Sequence, residues 1–152
     1  MLAADQDRLI AVGQKIEKVV RFSRDDIAQF ARLSHDENPL HIDRQAAQRA
    51  RFGEVIASGQ HTSSIMMGML ATHFSRSGDG VQREMLLLNM NFAFKAPIFA
   101  DQDVRLQWRV SSVEWKSRLN GVLAQLDGMA AVAAGHPAVV GRGSILVKEV
   151  LA

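Results

Sequence analysis

The densest run of proton-moving side chains in the sequence is Asp36-Glu37-Asn38-Pro39-Leu40-His41. A carboxylate and an imidazole stand five residues apart in it, with a proline between them to stiffen the turn. Such a turn can bring both side chains to one face, where they share a single water molecule. The carboxylate orients and polarises the water, and the imidazole, with an ordinary pKa of about 6.5, takes or returns a proton at neutral pH. The same two residue types also serve a plainer purpose, as polar turn formers in a helix-capping loop. Spacing alone leaves both readings open.

The elements that must position this run are legible on either side of it. Lys15–Phe22 is rich in Val and Ile and stops at Ser23, which reads as a first strand. Ser23-Arg24-Asp25-Asp26 has the form of a capping box, and Ile27, Phe30 and Ala31 follow at helical spacing, so a helix is expected over about residues 24–34. Pro39 pushes Asn38 out of the helical region, and His35 to Ile42 is therefore read as a loop. Asp43 can cap a short helix from Arg44 to Arg49.

From Ser58 to about Phe74, Ile65, Met66, Met67, Met69 and Leu70 cover nearly every direction around a helix, as in a helix buried on most sides. Gly68 in its middle is expected to mark a close approach of another backbone. The three methionines suit a core, with an acyl-lining role as the alternative. Strands follow at Leu86–Phe94, at Val104 to Trp115 with a bulge near Ser111-Ser112, and at Val139 to Val150. Asn120-Gly121 and Gly135-His136-Pro137 signal turns, and Asp127-Gly128 reads as a third turn or a bulge. The order implies an α+β domain whose antiparallel sheet curls around one long helix. Residues 1–152 form a single domain in this reading, with residues 1–14 as a loose N-terminal extension.

Composition narrows the function classes. The 152 residues include no cysteine, which excludes a disulfide scaffold, a cysteine metal module and a thiolate nucleophile. The net charge is only +2 and the basic residues are scattered, so no stripe for a nucleic-acid backbone exists. No metal is expected, because the five histidines show no ligand spacing. Neither a nucleophile elbow nor a dinucleotide or phosphate loop is present. The N-terminus lacks the order of a signal peptide, and no apolar run approaches membrane-spanning length. The expected compartment is the cytoplasm, without a membrane.

Ser34-His35-Asp36-Glu37-Asn38-Pro39-Leu40-His41 resembles the signature of the MaoC-like dehydratases, which include the (R)-specific enoyl-CoA hydratases. Ile56-Ala57-Ser58-Gly59 resembles the start of that family's central helix, and Phe94-Lys95-Ala96-Pro97 its lysine-proline strand end. The resemblance covers about residues 15–150 and implies the hotdog fold, an antiparallel sheet wrapped around a long central helix. It also implies that Asp36 and His41 are the catalytic pair that activates the water added to a trans-2-enoyl thioester. Asn38 would keep the loop in shape, and the backbone N–H of Gly59 would bind the thioester carbonyl. Ser64 falls where the family often has a hydroxyl near the site. Hydratases of the family typically show His-Gly-Met entering the helix, whereas this chain has Ser58-Gly59-Gln60-His61. His61 then either contacts substrate or satisfies buried backbone or a partner subunit.

The expectation is a hydro-lyase forming (R)-3-hydroxyacyl thioesters from enoyl-CoA, with no cofactor besides the coenzyme A of its substrate. Arg44, Arg49 and Arg51 follow the motif and either meet the phosphates of that coenzyme or are simply solvated. The alternatives are a hotdog acyl-CoA thioesterase and a non-catalytic acyl-CoA binding subunit. A homodimer or larger homo-oligomer is expected.

Overall fold

A computed structural model describes residues 3–133 and 136–150. The chain opens with helix α1 (Ala3–Leu9) and strand β1 (Lys15–Arg21), followed by three helices, α2 (Arg24–Leu33), α3 (Pro39–Ile42) and α4 (Arg44–Arg49). The central helix α5 spans Gly59–Phe74. Four long strands complete the fold: β2 (Arg83–Phe94), β3 (Asp103–Lys116), β4 (Gly121–Ala133) and β5 (His136–Glu149). They form one antiparallel sheet in the order β1-β3-β4-β5-β2, leaving β1 and β2 at its edges.

Alternating side chains of β3 put Val104, Leu106, Trp108 and Val110 on the inner face, where all four are buried with Met66, Leu70 and Phe74 of α5. Trp108 adds a directed tie, since its Nε1 donates to the Met66 carbonyl at 2.8 Å and so fixes the helix against the sheet. This is the hotdog arrangement that the resemblance implies.

Several sequence expectations meet the structure closely. The Ser23 capping box closes, with the Ser23 hydroxyl accepting from Asp26 N–H and the Asp26 carboxylate from Ser23 N–H. Asp43 caps α4 through Gln45 and Ala46 N–H. The register of β3 against β4 shifts between Val110 and Ser112, the expected bulge. A hairpin does join β3 to β4 at Asn120, but through a 3-10 turn at Ser117–Leu119 closed by a left-handed Asn120, with Gly121 already the first residue of β4 and not at positive φ.

Other expectations are corrected. Part of the segment expected to form a loose extension packs instead, with Leu9 and Ile10 only 3% and 1% exposed and Arg83 donating to the carbonyls of Arg8 and Leu9; residues 1–2 lie outside the described residues. Asp127-Gly128 is neither turn nor bulge. Both residues sit in unbroken pairing inside β4, and Gly128 is there because a Cβ would land on the Trp108 ring. Gly68 marks no close backbone, because among the described residues nothing lies within 4 Å of where its Cβ would be. It belongs to an exposed stripe with Gln60, Ser64, Ala71 and Thr72. The turn expected at Gly135-His136-Pro137 lies partly outside the described residues; His136 and Pro137 already belong to β5.

Candidate active site

Asp36 is positioned by the way α2 ends. Ser34 is the C-cap, His35 follows with φ 58°, and the N–H groups of His35 and Asp36 turn back to the carbonyls of Arg32 and Ala31 at 3.3 and 2.9 Å. This is a Schellman closure, in which the second residue past the cap has its backbone pinned to the last turn. Asp36 is that residue. Its Oδ1 accepts from Asn38 N–H at 3.1 Å, closing an Asx turn that sets the direction of the carboxylate.

His41 is positioned differently from expectation. The segment 35–42 is not loop throughout, because Pro39–Ile42 closes a single helical turn with Asn38 as N-cap and proline at the first position. A proline there already holds helical φ and lacks only an N–H that would be unpaired anyway. Asn38 Oδ1 accepts from Leu40 N–H, so the shape-keeping role expected of Asn38 has a visible basis. The His41 ring is buried, its side chain 8% exposed against 20% for Asp36. Its Nδ1 lies 2.7 Å from the Ile56 carbonyl. A carbonyl only accepts, so Nδ1 carries the hydrogen, and the neutral ring presents a bare lone pair on Nε2. That nitrogen is 3.6 Å from Asp36 Oδ2.

Ile56 is itself held, its N–H donating to Leu40 O at 3.2 Å and its backbone bridging to Phe99. Beyond it Ser58 caps α5, its hydroxyl accepting from His61 N–H. Gly59 is the first residue of α5, and among the described residues its N–H has no partner. It lines a cleft of about 430 Å³ with Ile56, Thr62, Phe94 and Ile98, and with Arg51 and Lys95. A side chain at residue 59 would collide with the Phe94 ring. The free N–H sits at the positive end of a 16-residue helix, a place suited to an oxygen that gains negative charge.

Asp36, Asn38 and His41 come together, with Gly59 next to Ser58 on the neighbouring segment. Ser64 and His61 do not join them. Ser64 is exposed on α5. His61 lines a separate cleft under α2, stacked on Phe30 at 4.3 Å and tilted against Phe22 at 4.5 Å. Its Nδ1 is buried without a partner, and burial lowers its pKa. It satisfies no buried backbone group among the described residues. Two further residues were not marked by the sequence. Gln60 donates to Asp36 Oδ2 at 2.6 Å, and Thr62 Oγ1 is buried without a partner in a residue lining the Gly59 cleft. Among the described residues no group of three or more His, Cys, Asp or Glu is placed to hold a metal ion.

A hotdog sheet with a carboxylate and an imidazole facing each other beside the N-terminus of its central helix defines a class of acyl-thioester proteins. Residues 7–127 match the MaoC like domain, and the chain belongs to that family. It is 31% identical over 104 residues to the (R)-specific enoyl-CoA hydratase of Aeromonas caviae, covering 68% of this chain and 73% of that protein. Against a mitochondrial 3-hydroxyacyl-acyl-carrier-protein dehydratase of Solanum lycopersicum it is 24% identical over 119 residues, 78% of this chain and 66% of the relative. The solved structure of the Aeromonas caviae (R)-hydratase superimposes with a TM-score of 0.76 at 28% identity, covering 90% of this chain and 96% of that one.

Proposed function

We propose that this protein is a hydro-lyase that reversibly adds water to a trans-2-enoyl thioester, giving the (R)-3-hydroxyacyl thioester. The observation that carries the reading is the pairing of a bare His41 Nε2 with Asp36 Oδ2 at 3.6 Å, a gap that one water molecule can bridge. Both atoms accept hydrogen bonds, and a water has two hydrogens to give. Its oxygen lone pair is then free to face the substrate.

In the hydration direction His41 Nε2 takes a proton from the water as its oxygen bonds to C3. The C2–C3 π electrons move toward the thioester carbonyl, whose oxygen is held by Gly59 N–H as charge develops there. The proton on His41 then passes to C2. Atoms balance with one water consumed, and the reaction as proposed calls for neither metal nor redox cofactor; coenzyme A belongs to the substrate. Aeromonas caviae supplies a relative named for enoyl-CoA, and Solanum lycopersicum one named for an acyl-carrier-protein thioester. We favour the coenzyme A form, with Arg51 and Lys95 lining the cleft beside Gly59 as candidates to meet its phosphates.

The proposed assembly is a homodimer formed along β2. That edge strand exposes Leu86, Leu87, Leu88 and Phe94, apolar groups that a second sheet edge would cover. The proposed location is the cytoplasm; no helix among the described residues is long and apolar enough to cross a membrane. The deciding assay follows the loss of enoyl-thioester absorbance with crotonyl-CoA and longer homologues. Absorbance loss without thiol release supports hydration, and release of free coenzyme A instead would make the protein a thioesterase.

A further inference from the structure

We infer that Gln60 is a positioning residue for the Asp36 carboxylate, an inference that rests on the hydration reading of the site. Each oxygen of Asp36 has its own donor: Asn38 N–H on Oδ1 at 3.1 Å and Gln60 Nε2 on Oδ2 at 2.6 Å. The two donors come from different parts of the fold, one from the loop that carries Asp36 and the other from the first turn of α5.

Oδ2 is the oxygen that faces His41, so its direction decides whether a shared water can be held. With the Asx turn alone, only Oδ1 is tethered locally. A second donor on Oδ2 fixes the carboxylate plane against rotation. It also uses one lone-pair direction of Oδ2 and leaves another for the water.

Methionine, close to glutamine in length, cannot donate a hydrogen bond, so at position 60 it would leave Oδ2 without this tether. Gln60 also binds the loop bearing Asp36 to the helix bearing Gly59, joining the two halves of the proposed site through one hydrogen bond. Misplacement of a reacting group by about 1 Å can cost on the order of 10²-fold in rate. A single tether of this kind therefore has room to matter.

The test has one arm that needs no turnover. In side-chain amide ¹H–¹⁵N spectra, the Gln60 carboxamide is expected to shift when Asp36→Asn is introduced; an unmoved Gln60 signal overturns the contact. In the second arm, Gln60→Met is expected to lower kcat on crotonyl-CoA roughly 10- to 100-fold with KM changed less than about twofold. Added to Asp36→Asn, the same substitution should cost less than about twofold more, because a residue acting through Asp36 has nothing left to act on. Unchanged kcat, a loss confined to KM, or full multiplication with Asp36→Asn overturns the positioning role. If the Gln60 signal responds to Asp36 while the wild type hydrates no enoyl thioester, the hydration reading fails and the contact stands.

Discussion

The His41 ring and the Ile56 backbone hold each other, with Nδ1 2.7 Å from the Ile56 carbonyl and Ile56 N–H bonded to Leu40, the residue before His41. The tautomer of the imidazole is thereby set by a main-chain group that no substitution at residue 56 removes. In the neutral ring the nitrogen left without a hydrogen, Nε2, is the one that faces Asp36.

Replacing either partner should abolish most turnover. We expect Asp36→Asn and His41→Ala each to lower kcat with an enoyl-CoA by roughly 10²- to 10⁴-fold, the usual worth of a positioned acid or base. Stopped absorbance assays on protein shown to be folded by circular dichroism check this.

Gly59→Ala tests the cleft. The added Cβ collides with Phe94, so the variant should lose activity and melt at a lower temperature than the wild type. Phe94→Ala in the same chain removes the obstacle and should restore part of the melting temperature. Failure of the second change to recover any of it would place the strain elsewhere.

Much of this architecture is legible in the sequence, and the exceptions share a cause. The Ser23 box, the Asp43 cap and the bulge at Ser111 are local devices, written in neighbouring residues. Gly128 misleads because its reason is Trp108, twenty positions away in sequence and on the adjacent strand. Gln60 carries no signal for the same reason, since its partner lies on another element. The Asp36 and His41 pair is readable because both ends of the interaction fall within one short run. The helical turn at Pro39 stays hidden because proline restricts the residue before it, Asn38, and leaves the conformation of Leu40 and His41 open.

His61 gives the fold a slope toward acid. Its ring is buried between Phe22 and Phe30, and desolvation holds its pKa below the ordinary 6.5, with Asp26 opposing in part. The unfolded chain therefore binds a proton that the folded chain resists, and stability falls as pH drops below 6.5 until the folded pKa is reached. His73 is shifted the same way, by burial and then by Arg76 and Arg83. Urea titrations of the wild type between neutral and mildly acid pH should show this loss, and His61→Leu should flatten part of it. An identical slope in the variant would refute the assignment.

His35 occupies a left-handed position at φ 58°, which favours glycine. His35→Gly should raise stability by about 0.5–1 kcal/mol while keeping the closure that holds Asp36. His35→Val, which resists that conformation, should lower both melting temperature and kcat.

Trp108→Phe should cost about 2–4 kcal/mol, because the fully buried indole shrinks to a phenyl ring and leaves a cavity while the Met66 carbonyl loses its indole donor. Denaturant unfolding of the two proteins measures it directly.

The backbone that stops α2 is also the backbone that carries the acid. Fraying the last turn of a 10-residue helix breaks the bonds from His35 and Asp36 to Arg32 and Ala31, and nothing in the sheet has to move for that to happen. If Asp36 serves the proposed reaction, activity should then be lost through this local opening, at a lower free energy than unfolding of the whole domain. On gentle heating or in low denaturant, enoyl-thioester turnover is expected to fall before the circular dichroism signal does.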